Sequence, residues 1–193
     1  MSTDNASSSV NPAALAFSAF AGTTFLLSWV NAGLADESLL STAAATGWIF
    51  GGAIQILVAF WLLRNNHLFP AVTFGAFGAF WLSFALFATI YVGGIPPEER
   101  GHATALFLAP WAIFSLYMLV GALKTNVAIV VAFVLVECTL VPAIIGDAVG
   151  NEAVGRVGGW AGIALALVVW YIAAAEVINH QFRRVLLPLR PLA

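Results

Sequence analysis

The sequence predicts an all-α integral membrane protein with six transmembrane helices, and three observations carry that prediction. Hydrophobic residues make up 62% of the 193-residue chain and charged residues only 8%, against about 25% charged in an average soluble domain. The mean hydropathy is +0.98. Polar groups this sparse cannot cover a soluble protein's surface, so the bilayer is the natural solvent. The apolar residues also fall into six runs near the roughly 20 residues that a spanning helix requires, and the short segments between them hold most of the charge.

The first ten residues, MSTDNASSSV, are polar and carry no Lys or Arg. They lack the charged start of a signal peptide and, with Asn11, read as a short disordered tail, so the first membrane helix is expected to act as the insertion signal. That helix is predicted from Pro12 to Gly33. Asn11 supplies a capping side chain and Pro12 the proline favoured at the first helical position. The second helix is predicted from Thr42 to Leu63, the third from Pro70 to Val92 and the fourth from Ala103 to Leu123. The fifth is predicted from Val127 to Gly146 and the sixth from Gly158 to His180. No connection is long enough for a separate domain. The expected layout is a tail over residues 1–11, one six-helix domain over 12–182 and a cytoplasmic tail over 183–193.

Six spans put both termini on one side. That side holds Arg64, Lys124, Arg183, Arg184 and Arg190, and the other holds Arg100 and Arg156. The excess of cations belongs in the cytoplasm, which predicts cytoplasmic termini in a plasma (inner) membrane. Small residues recur at close-packing spacing, as Gly155/Gly159 and Gly158/Gly162 in the sixth helix and Gly47/Gly51 in the second. Spacing alone leaves open whether they pack helices within one subunit or between subunits.

The net charge of −2 and the absence of a Lys/Arg cluster exclude nucleic acid as a partner. Cys138, the only cysteine, makes no intrachain disulfide or Cys-based metal site and reads as a small buried hydrophobe. There is no HExxH, GxSxG, phosphate loop or dinucleotide fingerprint. The three histidines fall at predicted helix ends or loops. The sequence therefore predicts no enzyme, no cofactor and no metal.

The informative residues are polar groups inside the spans, each expensive in hydrocarbon and each a functional candidate. The first helix offers Thr23, Thr24, Ser28 and Asn31. Phe20, Thr24, Leu27 and Asn31 fall within about 60° of one another on its surface. Thr and Ser can instead bond their own helix backbone. In the second helix Gln55 follows Gly51 and Gly52, which leave room beside its amide, and an interhelix hydrogen bond is the alternative. The third helix carries an aromatic stripe of Phe74, Phe77, Trp81 and Phe84, suited to packing or to closing a pore by excluding water. The fifth holds Glu137 near its middle, Pro142, and Asp147 at its end. Val136, Leu140, Ala143 and Asp147 share one face, with Glu137 about 100° round from Val136. Glu176, Asn179 and His180 lie near the last helix end and read as solvated at the interface.

The stretch Asn11-Pro12-Ala13-Ala14-Leu15 resembles the NPAxLG/NPAPLG signature that opens the first helix of the acetate uptake transporter (succinate–acetate permease-like) family. Further matches follow in order: Gly51-Gly52-Ala53-Ile54-Gln55, Gly78-Ala79-Phe80-Trp81-Leu82, Gly121-Ala122-Leu123-Lys124, Gly150-Asn151-Glu152-Ala153, Gly159-Trp160-Ala161-Gly162, and Glu176 to Phe182 with Leu187-Pro188 after it. Each is weak alone, and their order and spacing together are specific.

The resemblance implies a urea-channel-like fold with a pore inside each protomer, usually assembled as a hexamer. It implies passage of acetate, and in some members succinate, by proton-coupled or channel-like transport. The partners expected are then a short carboxylate, protons, the bilayer and further copies of the chain. The family's hydrophobic constriction of Phe, Tyr and Leu falls on Phe20, Phe77 and Val136. Phe77 lacks the phenol hydroxyl and Val136 is one methylene smaller than Leu, so the gate is expected to be more apolar, slightly wider and open to lactate. Pore-lining or substrate-binding roles are expected for Asn11, Leu15, Thr23, Thr24, Asn31, Gln55, Trp81 and Asp147, and proton coupling for Glu137.

A carboxylate beside a pore repels a bound anion by roughly 3 kcal/mol at about 5 Å and an effective dielectric near 20. Either Glu137 is neutral, or it faces away, or the substrate travels as the neutral acid. Two other functions fit the same spans: a channel for a neutral solute such as urea or ammonia, and a non-transporting membrane sensor.

Overall fold

The computed structural model describes residues 11–192, so most of the predicted N-terminal tail lies outside the described residues. The described chain folds into six helices long and apolar enough to cross a membrane: α1 (Ala13–Asn31), α2 (Glu37–Arg64), α3 (Leu68–Gly94), α4 (Pro97–Ala122), α5 (Val127–Val149) and α6 (Glu152–Phe182). The only extended pairing among the described residues is one bridge between Asn126 and Pro191. The predicted fold class and number of spans hold.

Three helices begin several residues before the predicted points, because caps and tight turns rather than hydropathy set their starts. Asp36 accepts a hydrogen bond from the Ser38 N–H (2.9 Å) and caps a 3-10 turn that leads into α2. Ser38 hydrogen bonds, from its hydroxyl and its backbone, hold the Asp36 carboxyl below the ordinary carboxylate range. Asn151 accepts from the Ala153 and Val154 N–H groups at 3.1 and 3.3 Å and starts α6 at Glu152. A 3-10 turn over Pro97–Glu99, opened by proline and without a side-chain cap, leads into α4. These polar starts lie outside the apolar windows that hydropathy detects.

Glycine sets how the helices meet. A Cβ on Gly51 of α2 would lie 2.8 Å from both Thr23 Oγ1 on α1 and Trp81 Cγ on α3, closer than atoms pack. On α6, Gly158 abuts the Thr139 carbonyl of α5, and Gly159 and Gly162 abut Ala32 at the end of α1 and Ser28 within it. These three glycines pack helices within one chain, and so does the fourth of the overlapping pairs, Gly155, whose backbone lies against Gly146 of α5. Two stretches are wound as π-helix, Gly47–Ile54 in α2 and Phe87–Tyr91 in α3. Such widened turns recur at functional sites, and the first ends immediately before Gln55.

The main core gathers Phe20, Phe77, Trp81, Phe133, Val136 and Leu165 between α1, α3, α5 and α6. A second cluster of Ala16, Val58, Leu62 and Phe74 joins α1, α2 and α3. Leucine, isoleucine, valine and aromatic side chains cover the outside, including Leu106, Ile113, Val120 and Leu167, as lipid contact requires. Cys138 is exposed on α5, not buried as the sequence suggests.

The chain after α6 folds back as a strap. The Asn179 side chain accepts from the N–H groups of Leu186 (2.7 Å) and Leu187 (3.0 Å) and donates to the Leu187 carbonyl (2.8 Å). The Tyr171 hydroxyl donates to the Pro188 carbonyl at 2.8 Å. Val127 N–H donates to the Arg190 carbonyl and Leu192 N–H to the Thr125 carbonyl, each at 3.0 Å. Asn179, read as solvated from the sequence, holds this strap instead.

Candidate permeation site between two cavities

Two cavities lie inside the bundle, of about 40 and 70 Å³, each larger than the roughly 10–15 Å³ that one water needs. The smaller is built from the halves of α1, α3 and α5 nearest the chain termini, with Gln55 of α2 and Thr73 of α3 in its wall. The larger lies in the opposite half, lined by Thr24, Ser28, Asn31, Trp81 and Thr139 among others. Four residues belong to both linings: Phe20, Phe77, Val136 and Leu165. The rings of Phe20 and Phe77 meet edge-on, 5.2 Å apart, and Phe114 of α4 backs Phe77 at 5.5 Å. The wall between the cavities is thus wholly hydrocarbon.

The three residues placed at a constriction by resemblance therefore come together from three helices. The sequence reading missed the fourth, Leu165. Its signal was nevertheless present: Gly158, Gly162, Leu165 and Val169 fall on one face of α6 at i, i+4, i+7 and i+11, and the two glycines mark that face as the packed one.

The polar residues divide sharply. Thr23 donates to the carbonyl of Ala19 at 3.0 Å and packs against Gly51, lining neither cavity. Its neighbour Thr24 lines the larger cavity, and its Oγ1 has no hydrogen-bond partner among the described residues. Trp81 Nε1 is likewise buried and unpartnered in that wall. Gln55, 0% exposed, donates from Nε2 to its own helix at the Gly51 carbonyl (2.6 Å), so it forms no interhelix bond. Its Oε1 is buried without a partner at the smaller cavity.

Asn31 also lines the larger cavity. Asn11 caps α1 by accepting from the Ala13 N–H at 3.0 Å, and Leu15 is 48% exposed. Neither of these lines a cavity, and neither does Asp147, which lies one turn beyond Ala143, where the lined face of α5 ends.

Glu137 is turned away from both cavities. It takes a hydrogen bond from the hydroxyl of Ser115, a fully buried residue of α4. Of the three ways the sequence left for a carboxylate beside a pore, the geometry selects the one in which it faces elsewhere. No residue lining either cavity is ionisable among the described residues.

The model of the GPR1/FUN34/yaaH family matches residues 2–193. The chain belongs to this family. One family relative is the succinate-acetate/proton symporter SatP of Escherichia coli K12, 32% identical over 181 residues that cover 93% of this chain and 94% of SatP. Another is the ammonia transport outward protein 2 of Saccharomyces cerevisiae, 29% identical over 176 residues and 89% of this chain. The chain spans about three fifths of the length of the yeast relatives it matches, 62% in each. Among solved structures, that of the bacterial acetate channel SatP superposes with a TM-score of 0.86 at 28% identity, covering 93% of this chain and 98% of that one. The family read from the ordered motifs and the six-helix architecture are both borne out. The chain is a multi-pass membrane protein whose named family relatives include transporters and channels.

Proposed function

We propose that this chain conducts acetate and other short monocarboxylic acids across a membrane. The observation that carries the reading is the pair of cavities meeting at Phe20, Phe77, Val136 and Leu165. A hydrocarbon neck between two small chambers passes a small solute once its aromatic rings move, and it excludes water and ions at rest. SatP, named as a succinate-acetate/proton symporter and solved as an acetate channel, matches the chain along almost its whole length, which supports acetate as the first substrate.

In this reading Phe20, Phe77 and Val136 form the gate, and Thr24, Asn31, Gln55 and Trp81 offer the polar contacts. Asn11, Leu15, Thr23 and Asp147 support the helices that carry them. The excess of Lys and Arg on the terminal side supports cytoplasmic termini, with the smaller cavity facing inward. Assembly as a hexamer accords with the extensive apolar outer surface.

The test is labelled acetate uptake into proteoliposomes with and without a proton gradient, with unlabelled lactate, succinate, ammonium and urea as competitors. Saturable uptake displaced by monocarboxylates supports the proposal. Displacement by ammonium or urea alone would favour the second reading, a channel for a neutral solute such as ammonia. The absence of any ionisable residue in the linings and the name of the yeast relative favour that reading.

A further inference from the structure

On both sides of the neck, residues that line the cavities keep a buried polar atom without a partner among the described residues, and the chemistry of these atoms differs. On the side of the larger cavity they are Thr24 Oγ1 and Trp81 Nε1. On the terminal side the atom is Gln55 Oε1. An indole N–H only donates, a hydroxyl donates or accepts, and an amide oxygen only accepts. A carboxylate is itself an acceptor, so the first side suits the anion and the Gln55 oxygen does not. The amide cannot turn over to present its nitrogen instead. Nε2 is tied to the Gly51 carbonyl at 2.6 Å, and reversing the amide would set two carbonyl oxygens against each other.

We propose that Gln55 selects the undissociated carboxylic acid, so that the proton crosses the neck on the substrate and not on the protein. The acid O–H donates to Gln55 Oε1. Gly51 occupies one of the two amide N–H groups, which leaves the other as a donor. The amide then keeps one donor and one acceptor for a group that has one of each. This inference rests on the carboxylic-acid reading above and specifies which form of the acid passes.

Among the described residues, the lining of the smaller cavity offers the proton no other carrier. Beside Gln55 in that lining, α1 contributes Phe17 and Phe20, α3 contributes Thr73, Phe74 and Phe77, and α5 and α6 contribute only apolar side chains. The ionisable groups of these elements lie elsewhere. Glu137 of α5 is bonded to Ser115, Asp147 and Glu176 line neither cavity, and Arg64 and His67 are exposed. The balance is simple. The carboxylate takes a proton from bulk water on one side, crosses as the neutral acid and returns the proton on the other, and no protein group changes its protonation state. A neutral species also avoids placing a charge among Phe20, Phe77, Val136 and Leu165, where charge is costly.

The test uses the full chain in proteoliposomes, with flux through protein-free vesicles subtracted. At fixed total acetate, influx should fall about tenfold per pH unit above the ordinary carboxyl pKa of about 4–5, and it should not respond to an imposed membrane potential. Acetamide, which has N–H donors, should compete about fivefold better than acetone, which has none, for the loss of one hydrogen bond. In Gln55→Leu that preference should vanish.

Potential-driven influx at neutral pH, equal competition by acetone in the wild type, or a preference retained in Gln55→Leu would each overturn the inference while leaving acetate transport intact. If the variant does not fold, the wild-type potential and competitor measurements decide. Absence of any acetate flux would instead remove the proposed function, and this inference with it.

Discussion

Thr23 and Thr24 are adjacent in the chain and nearly equal in burial, yet the structure uses them oppositely. Thr23 spends its hydroxyl on the Ala19 carbonyl and sits under Gly51. Thr24 leaves its hydroxyl open at the cavity wall. The same division runs through the bundle. Asn179 holds the C-terminal strap and Ser115 holds Glu137, whereas Gln55 and Trp81 keep an atom free beside a cavity. An unsatisfied buried polar group costs about 1–3 kcal/mol. Where a membrane bundle carries that cost next to a cavity, the proposed function gives the group a ligand to meet. Where a partner is present, the group is structural.

The strongest way to break this comparison is to destroy the contact that separates the two classes. A Cβ at Gly51 would clash with Thr23 and Trp81 together. Gly51→Leu should therefore unseat α2 from α1 and α3 and abolish folded protein, read as loss of the monodisperse peak in detergent. Gly51→Ala should fold but lose about 1–3 kcal/mol, the usual range for overpacking a tight core, read as a lowered unfolding midpoint. A Gly51→Ala protein of unchanged stability would show that the Thr23–Gly51–Trp81 contact is not what sorts the polar groups.

Next in size is the neck. Val136→Leu adds one methylene to the wall shared by the two cavities. One methylene in an apolar pocket discriminates by about 10-fold or more. Lactate uptake should fall about tenfold relative to acetate, measured as the ratio of the two initial rates. An unchanged ratio would place size selection away from Val136.

A smaller effect sharpens the comparison directly. Thr24→Val removes an open hydroxyl, so acetate uptake should drop about fivefold, the worth of one hydrogen bond, with thermal stability unchanged or raised. Thr23→Val removes a satisfied local bond and should leave uptake within about twofold. If both variants changed transport equally, the distinction between open and satisfied groups would fail.

The fold was legible in the sequence because hydropathy and motif order are additive along the chain. Six apolar windows give six helices whatever their packing. The site was legible only where one helix face decided it. Phe20, Thr24 and Asn31 repeat at helical spacing, and the structure puts all three in the larger cavity. What spacing could not supply was the partner. Thr23 bonds the Ala19 carbonyl within α1 and packs under Gly51 of α2, whereas Thr24 does neither. Asp147 shares a face with Val136 and Leu140, but the cavity ends a turn before it. Leu165 was overlooked because an apolar residue in an apolar helix carries no contrast. The π-helical stretch before Gln55 was hidden for a similar reason, since Gly47 and Gly51 read as packing glycines before they read as a change in winding.

Glu137 is a group that the sequence marks as functional and to which the structure gives a partner. Glu137 is bonded to Ser115 on the α4–α5 side and lines neither cavity. Glu137→Gln keeps the shape and keeps an acceptor for the Ser115 hydroxyl. The pH dependence of acetate uptake should then be unchanged within error if, as proposed, the proton travels on the substrate. Ser115→Ala is the sharper control. It removes the hydroxyl and leaves the Glu137 oxygen without its partner, so stability should fall by about 1–3 kcal/mol while the pH profile again stays in place. A shift of the profile in Glu137→Gln, with stability intact, would mean that a partnered carboxylate outside the cavities still moves the transported proton. The division between open and satisfied groups would then describe packing alone, and the route of the proton would run through the α4–α5 interface instead of past Gln55.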